Sequence, residues 1–129
     1  MGSSSHLLVA DDYAPIRQGL VRMLNPDPEF QLVGEASNGQ QVIDQLPLLE
    51  VDVVLMDVEM PIMDGIATTK YIRQHFSNVK VLGMSPYDEP CYRQDMIEAG
   101  ALGCISKTSA TSTWIEALKA VSSGKHYIS

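Results

Sequence analysis

Short apolar runs alternate with segments of helical periodicity along this chain, and the alternation limits the folds that it can adopt. Five repeats of strand then helix follow one another, the first strand at 6–10 and the last at 101–106. The runs are too apolar for either face to contact water, which is typical of strands buried on both faces of a parallel sheet. The pattern predicts a doubly wound α/β fold, a five-stranded parallel sheet with five helices on its two sides.

The helical segments are identified by apolar residues that recur every three or four positions. Pro15 stands near the start of the first, and the segment at 25–28, Asn-Pro-Asp-Pro, ends it. The predicted apolar faces are Ile16, Leu20, Met23 and Leu24 for helix 1; Val42, Ile43, Leu46 and Leu49 for helix 2; Ile66, Thr69, Ile72 and Phe76 for helix 3; and Ile115, Leu118 and Val121 for helix 5.

Capping residues set the ends of the last two helices. Asp88 or Glu89 is predicted to cap helix 4, and Ser109, Thr111 or Ser112 to cap helix 5. Gly100 and Gly124 follow these two helices, where glycine takes the left-handed conformation that terminates a helix.

Length and charge exclude several classes of protein. A chain of 129 residues forms one domain. Its net charge of -7, with a pI near 4.7, argues against direct DNA binding. Cys91 and Cys104 lack the partners of a zinc site or a disulfide framework, and no apolar run is long enough to span a bilayer. We therefore expect a cytoplasmic domain, with residues 1–5 a cloning remnant outside the fold.

Four of the apolar runs end on residues that phosphoryl chemistry uses. The first runs into Asp11 and Asp12, the third into Asp57, the fourth into Ser85 and the fifth into Lys107. The carboxyl ends of parallel strands share one edge of the sheet, where ligands bind in this class of fold. The sequence therefore predicts that these side chains converge in one crevice.

Each of these side chains has a predicted role in that crevice. Asp57 is the candidate nucleophile, because a carboxylate can attack phosphorus and form an aspartyl phosphate. Asp11 and Asp12 supply the oxygen ligands that Mg²⁺ prefers, and without a cation the clustered acids would repel one another. Lys107 and Ser85 are placed to contact the phosphoryl oxygens through an ammonium charge and a hydroxyl.

The chain resembles the receiver domain of two-component response regulators. The resemblance is carried by 8–12, 54–65, Ser85 and Lys107, and it covers residues 6 to about 124. It implies a flavodoxin-like strand order, 2-1-3-4-5, and phosphorylation of Asp57 by a partner histidine kinase. It also implies Mg²⁺ held by Asp12, Asp57 and the backbone carbonyl of Glu59, with Asp11 acting through water. Ser85 and Lys107 would sense the phosphoryl group.

The second half resembles the NarL/LuxR-type branch of this family, at 100–107, 114–121 and 124–129. In that branch a helix-turn-helix domain follows the receiver across a linker. The resemblance implies a receiver at 6–124, a linker that begins at 125–129, and DNA binding only through a further domain. It also implies a regulatory phosphoacceptor in place of a turnover enzyme, with a homodimer as a possible assembly.

The residues that would switch the domain depart from the family pattern. Pro86 follows Ser85 and has no N–H for the phosphoryl group, which removes a hydrogen bond of roughly 1.5 to 3 kcal/mol. Cys104 stands where the family carries Tyr or Phe, and it is predicted to be a core residue. Ser85 replaces the commoner Thr and keeps the hydroxyl. Tyr87 and Tyr92, near helix 4, are predicted to be half-exposed packing residues.

Three other functions remain open from the sequence. A small aspartate-based phosphatase would use Glu59, two residues after Asp57, to protonate the leaving group. A flavodoxin-like carrier shares the fold, but strand 1 leads into Asp11-Asp12 and not into a loop that cradles an FMN phosphate. A receiver-like interaction module that never accepts phosphate is consistent with Pro86 and Cys104.

Overall fold

The computed structural model describes residues 4–86 and 90–128, without the side chains of 90–92 and 128. Strands and helices alternate along the chain. The elements are β1 (Ser5–Ala10), α1 (Ala14–Leu24), β2 (Phe30–Ala36), α2 (Gly39–Gln45), β3 (Val53–Asp57), α3 (Gly65–His75), β4 (Lys80–Ser85), α4 (Pro90–Ala99), β5 (Gly103–Ser106), α5 (Thr111–Ser122) and β6 (Tyr127–Ile128).

The strands form one parallel sheet in the order β2-β1-β3-β4-β5-β6. The predicted order of the first five strands is confirmed. The sheet differs from the prediction by a sixth strand, which lies within the segment at 125–129 that was expected to begin a linker.

Gly103 explains how β6 reaches the edge of the sheet. A Cβ at this position would lie 2.5 Å from the carbonyl oxygen of Tyr127, so any larger residue would push β6 away. The Tyr127 N–H donates to the carbonyl of Leu102 at 2.9 Å. Two paired residues give no periodic signal in a sequence, which is why β6 was not predicted.

Helices cover both faces of the sheet, and each face has its own core. Leu7 and Val9 of β1 point to the face covered by α1 and α5, whereas Leu8 and Ala10 point to the face covered by α2, α3 and α4. Alternate residues of one strand are thus buried on opposite sides. The doubly wound α/β prediction is confirmed.

Two element boundaries differ from the sequence prediction. The β1 strand begins at Ser5 and not at His6, because the Ser5 N–H donates to the carbonyl of Glu29 at 2.7 Å. The α2 helix ends at Gln45, although its apolar pattern continues to Leu49. Pro47 has no N–H to continue the helical hydrogen bonds, so the helix ends before the apolar pattern does.

The predicted glycine ends of α4 and α5 are confirmed, whereas the predicted N-cap of α5 differs from the structure. Gly100 and Gly124 have positive φ angles of 122° and 84°. The N-cap of α5 is Ala110, with no side-chain hydrogen bond, so the prediction of Ser109, Thr111 or Ser112 was wrong. The predicted cap of α4, Asp88 or Glu89, lies outside the described residues, as do Tyr87 and the side chain of Tyr92.

Trp114 of α5 is the largest fully buried side chain and is 1% exposed. We expect Trp114→Ala to lower the free energy of unfolding by about 3 to 5 kcal/mol, because it leaves a cavity in the core. Urea denaturation followed by circular dichroism measures the change. Leu48→Ala is the control, since Leu48 is 81% exposed and its truncation should change stability by less than about 0.5 kcal/mol.

Candidate functional site

The strand order and register bring the predicted acids together. The β1 strand pairs with β3 so that Ala10 lies opposite Met56, which places Asp11 beside Asp57 at the same edge of the sheet. Carboxylate oxygens of Asp11, Asp12 and Asp57 all lie within 4.8 Å of one another. The predicted convergence of the three acids is therefore observed.

Burial and repulsion between neighbouring acids disfavour the ionised form of Asp57 in this cluster. Asp11 is 0% and Asp57 is 3% exposed, whereas Asp12 is exposed. Loss of water around Asp57, together with the nearby charge of Asp11, raises the pKa of Asp57 to about 6. Lys107 and the backbone N–H of Glu59 act in the opposite direction but do not cancel the rise.

Lys107, the residue after β5, supplies the compensating charge. Its Nζ lies 2.6 Å from Asp11 Oδ2 and 3.1 Å from Asp57 Oδ1, so one ammonium group bridges the two buried acids. Burial opposes the charge on Lys107, but the two carboxylates outweigh this effect and raise its pKa. Lys107 therefore remains a cation at the position predicted for it.

The loop after β3 is held against the backbone of Asp57. The Gly65 N–H donates to the carbonyl of Val58 at 2.9 Å, and a Cβ at position 65 would overlap the carbonyl oxygen of Asp57. The Glu59 N–H lies 3.4 Å from Asp57 Oδ1. Gly65 thus permits the close approach that orients the candidate nucleophile, a role that sequence reasoning did not assign to it.

The tip of this loop contains a strained residue. Ile62 has a φ of 70° and is 83% exposed, and the Met63 N–H donates to the carbonyl of Pro61 at 2.7 Å. This arrangement is a γ-turn, which is rare for a β-branched residue and is found mostly at functional sites. Nothing in the identity of Ile62 signals a positive φ, so the sequence could not have indicated it.

A cavity of about 580 Å³ opens over the acids. Its lining residues include Asp12, Asp57, Glu59, Pro86 and Lys107. Ser85, by contrast, is 4% exposed and is not among the described residues that line the cavity.

Pro86 is exposed at the rim of this cavity, as its position after β4 predicts. The peptide bond before it is trans, because the described part of the chain contains no cis peptide bond. A proline at the rim cannot donate a backbone hydrogen bond into the cavity.

Cys104 of β5 is buried beside Gly83 of β4, its partner across the two strands. It is 3% exposed, and a Cβ on the neighbouring Gly83 would lie 3.3 Å from its Sγ and 3.0 Å from Cε of Met96. The small residues Gly83 and Cys104 thus leave a shallow depression in which the Met96 side chain packs. The prediction that Cys104 is a core residue is confirmed, and Met96 occupies space beside it.

The acid cluster has the donor chemistry of a magnesium site. Hard divalent cations prefer carboxylate and carbonyl oxygens, and Asp11, Asp12 and Asp57 provide carboxylates from two adjacent strand ends. Burial and the nearby charge of Asp11 both raise the pKa of Asp57, and a bound cation would favour its ionised form. The residues fit Mg²⁺.

The chain belongs to the response regulator receiver domain family, whose model matches residues 7–119. Its relatives are response regulators of the NarL/LuxR type, the branch that the sequence resembles. The fold described above is thus that of a receiver domain.

Individual relatives support this assignment. The transcriptional regulatory protein DegU of Brevibacillus brevis is 33% identical over 122 residues, covering 95% of this chain and 52% of DegU. The signal receiver domain of NarL from Mycobacterium tuberculosis superposes with a TM-score of 0.90 at 29% identity, covering 96% of this chain and all of that one. RcsB, in a structure of two dimers bound to two parallel DNAs, gives a TM-score of 0.89 at 26% identity, covering 98% of this chain and 64% of RcsB.

The chain therefore spans about half the length of the regulator DegU, which it matches. Among the described residues, no helix combines the length and apolar character that crossing a membrane requires.

The raised pKa of Asp57 predicts how stability changes with pH when no divalent cation is present. The carboxyl ionises near pH 3.8 in the unfolded chain but near pH 6 in the folded protein. Between these values the unfolded state loses its proton first, so the free energy of unfolding falls as pH rises, by on the order of 3 kcal/mol.

Asp57→Asn removes this group, and we expect the variant to be more stable than the parent above pH 6 and similar to it below pH 4. Urea denaturation in EDTA across this range measures the difference. Asp95→Asn controls for net charge, because Asp95 is exposed on α4. Equal stability of parent and Asp57→Asn at pH 7 would contradict the pKa assignment.

Proposed function

We propose that Asp57 accepts a phosphoryl group from a histidine kinase in a Mg²⁺-dependent reaction and that this modification controls a transcriptional output domain. The observation that carries the proposal is the position of Asp57. Its carboxylate lines the 580 Å³ cavity, clusters with two other acids and lies 3.1 Å from the Lys107 ammonium group. A carboxylate, a cluster of acids and an ammonium group thus meet beside one cavity, which supports these roles.

In the proposed reaction, an oxygen of the Asp57 carboxylate attacks phosphorus of a phosphohistidine donor. The new O–P bond forms as the N–P bond breaks, and the imidazole nitrogen keeps the electron pair and takes up a proton from solvent. Bound Mg²⁺ would neutralise charge on the transferring oxygens. Asp11, Asp12, Asp57 and the backbone carbonyl of Glu59 are the residues proposed to hold it, Asp11 through water.

Lys107 and Ser85 are proposed to respond to the phosphoryl group. The Lys107 ammonium group, which now bridges Asp11 and Asp57, would contact the new oxygens as a point charge. The Lys107 N–H donates to the carbonyl of Ser85 at 2.8 Å, so the ends of β4 and β5 are tied together. A displacement of the Ser85 backbone would therefore be passed to Lys107.

The partners proposed for this protein follow from its membership of the receiver family. A regulator of this kind would act in the cytoplasm, take its phosphoryl group from a sensor histidine kinase and form a homodimer. RcsB, a relative of similar fold, is described as dimers bound to DNA. DNA contact by this protein is proposed to occur through a separate domain, because the chain's own charge of -7 is unfavourable for it.

Incubation with acetyl phosphate and Mg²⁺ tests the phosphoacceptor directly. We expect intact mass spectrometry to show the gain of one phosphoryl group in the parent and none in Asp57→Asn. Omission of Mg²⁺ should abolish the gain in the parent. Asp95→Asn, which carries the same change in charge on an exposed surface, should be modified as the parent is.

A parent protein that is folded, binds Mg²⁺ and gains no mass would reject the proposal. In that case the second candidate, a phosphorylation-independent interaction module, is favoured by two observations. Pro86 offers no N–H at the cavity rim, and Cys104 is a buried, non-aromatic residue at the position where the family carries Tyr or Phe. Catalytic release of phosphate from a generic phosphoester would instead identify a phosphatase that uses Glu59.

Pro86→Ala tests whether the missing donor weakens the phosphorylated state. Beryllofluoride mimics a phosphoryl group on aspartate, and an N–H at position 86 would add one hydrogen bond to a charged ligand. We expect Pro86→Ala to bind beryllofluoride at least about tenfold more tightly, which is the effect of such a bond. Isothermal titration calorimetry measures the affinity.

Pro61→Ala is the control for Pro86→Ala, since Pro61 also lines the cavity but lies on the loop after β3. Because Ala at either position relaxes its loop and adds an N–H, equal tightening in both variants would show that the effect is not specific to position 86 and would contradict the assignment.

A further inference from the structure

Arg17 of α1 links the acid cluster to the far side of β1. Its Nη1 donates to the backbone carbonyl of Asp11 at 2.6 Å, and its Nε donates to Glu35 Oε1 at 3.2 Å. The Arg17 side chain is 20% exposed, and Glu35 belongs to β2, the strand next to β1. One guanidinium group thus bridges the loop that carries the acids and the edge strand of the sheet.

The carbonyl that Arg17 holds belongs to the peptide bond between Asp11 and Asp12. Because a peptide unit is planar, fixing this carbonyl also fixes the direction in which the Asp12 backbone leaves it. The Asp11 N–H, on the preceding peptide, donates to the carbonyl of Ala36 at 3.0 Å. Both peptides that flank Asp11 are therefore anchored to β2 or to a group bound to β2.

Asp12 depends on this anchoring more than Asp11 does. The Asp11 carboxylate is already fixed by the Tyr13 N–H at 2.9 Å and by Lys107 at 2.6 Å. Asp12 is exposed, and within the described part of the chain its side chain makes no hydrogen bond or ion pair. The backbone alone aims its carboxylate at the cluster.

We propose that Arg17 is a positioning residue for the metal site. Arg17 holds the Asp11–Asp12 peptide so that the Asp12 carboxylate faces the cation. The inference rests on the proposed function, since it assigns Mg²⁺ to the acid cluster. Glu35 neutralises the guanidinium group, so Arg17 adds orientation at little electrostatic cost to a bound cation. Its planar fork makes both contacts at once, which a lysine ammonium group cannot reproduce.

Charge and geometry predict opposite results when Arg17 is replaced by Met. If Arg17 acted only through its positive charge, removing that charge would tighten Mg²⁺ binding. If Arg17 positions Asp12, the same substitution weakens binding, by about tenfold as is usual for groups that orient metal ligands. We expect weaker binding in Arg17→Met, and also in Arg17→Lys, which keeps the charge and loses the fork.

Isothermal titration of Mg²⁺ into the parent, Arg17→Met, Arg17→Lys and Arg22→Met measures these affinities. Arg22 is an exposed arginine at the end of the same helix, and Arg22→Met should bind as the parent does. Phosphorylation by acetyl phosphate should need more Mg²⁺ in Arg17→Met but reach the parent rate at saturation. A purely structural tie would lower the unfolding midpoint and leave the Mg²⁺ affinity unchanged.

If folded Arg17→Met binds Mg²⁺ as tightly as the parent or more tightly, the inference is wrong. If Arg17→Met does not fold, parent-like Mg²⁺ binding by Arg17→Lys contradicts the inference. Failure of the proposed function gives a different result, because then the parent itself takes up no phosphoryl group from acetyl phosphate.

Discussion

The bridge from Lys107 to Asp11 and Asp57 is the interaction on which the site depends. Two buried carboxylates at one sheet edge repel each other, and a single ammonium group at 2.6 and 3.1 Å offsets part of that cost. Burial, together with the repulsion from Asp11, still raises the pKa of Asp57 above its ordinary value. Added positive charge would lower the pKa of Asp57. A divalent cation would supply that charge, and together with Lys107 it would then favour binding of an anionic phosphoryl group.

The fold positions this bridge through its backbone. Parallel pairing places the ends of β1, β3, β4 and β5 at one edge, and Lys107 is tied to β4 through the carbonyl of Ser85. Gly65 lets the loop after β3 close on Asp57, and a strained γ-turn at Ile62 completes that loop. The acid cluster and the bridging lysine thus meet at one edge of the sheet, while Pro86 and Cys104 stand where the sequence departs from the family pattern that it resembles.

Periodicity and strand-end residues predicted the two-sided core and the acid cluster, because both carry direct physical signals. The strand order came only from the resemblance to the receiver family. The sequence failed where structure depends on backbone alone. The strand β6 and the start of β1 at Ser5 arise from main-chain hydrogen bonds, and Ala110 caps α5 without a side-chain bond. The role of Arg17 could not have been predicted either, because an arginine on a helix gives no sign of which carbonyl it binds.

The site of modification is the most direct test of this account. Borohydride reduces an acyl phosphate to the corresponding alcohol, so a phosphorylated aspartate becomes homoserine, which peptide mass spectrometry locates in the chain. After treatment with acetyl phosphate and Mg²⁺, we expect homoserine at position 57 and at no other acid. Homoserine at position 11 or 12, or phosphate that resists reduction because it is bound to a serine, would contradict it.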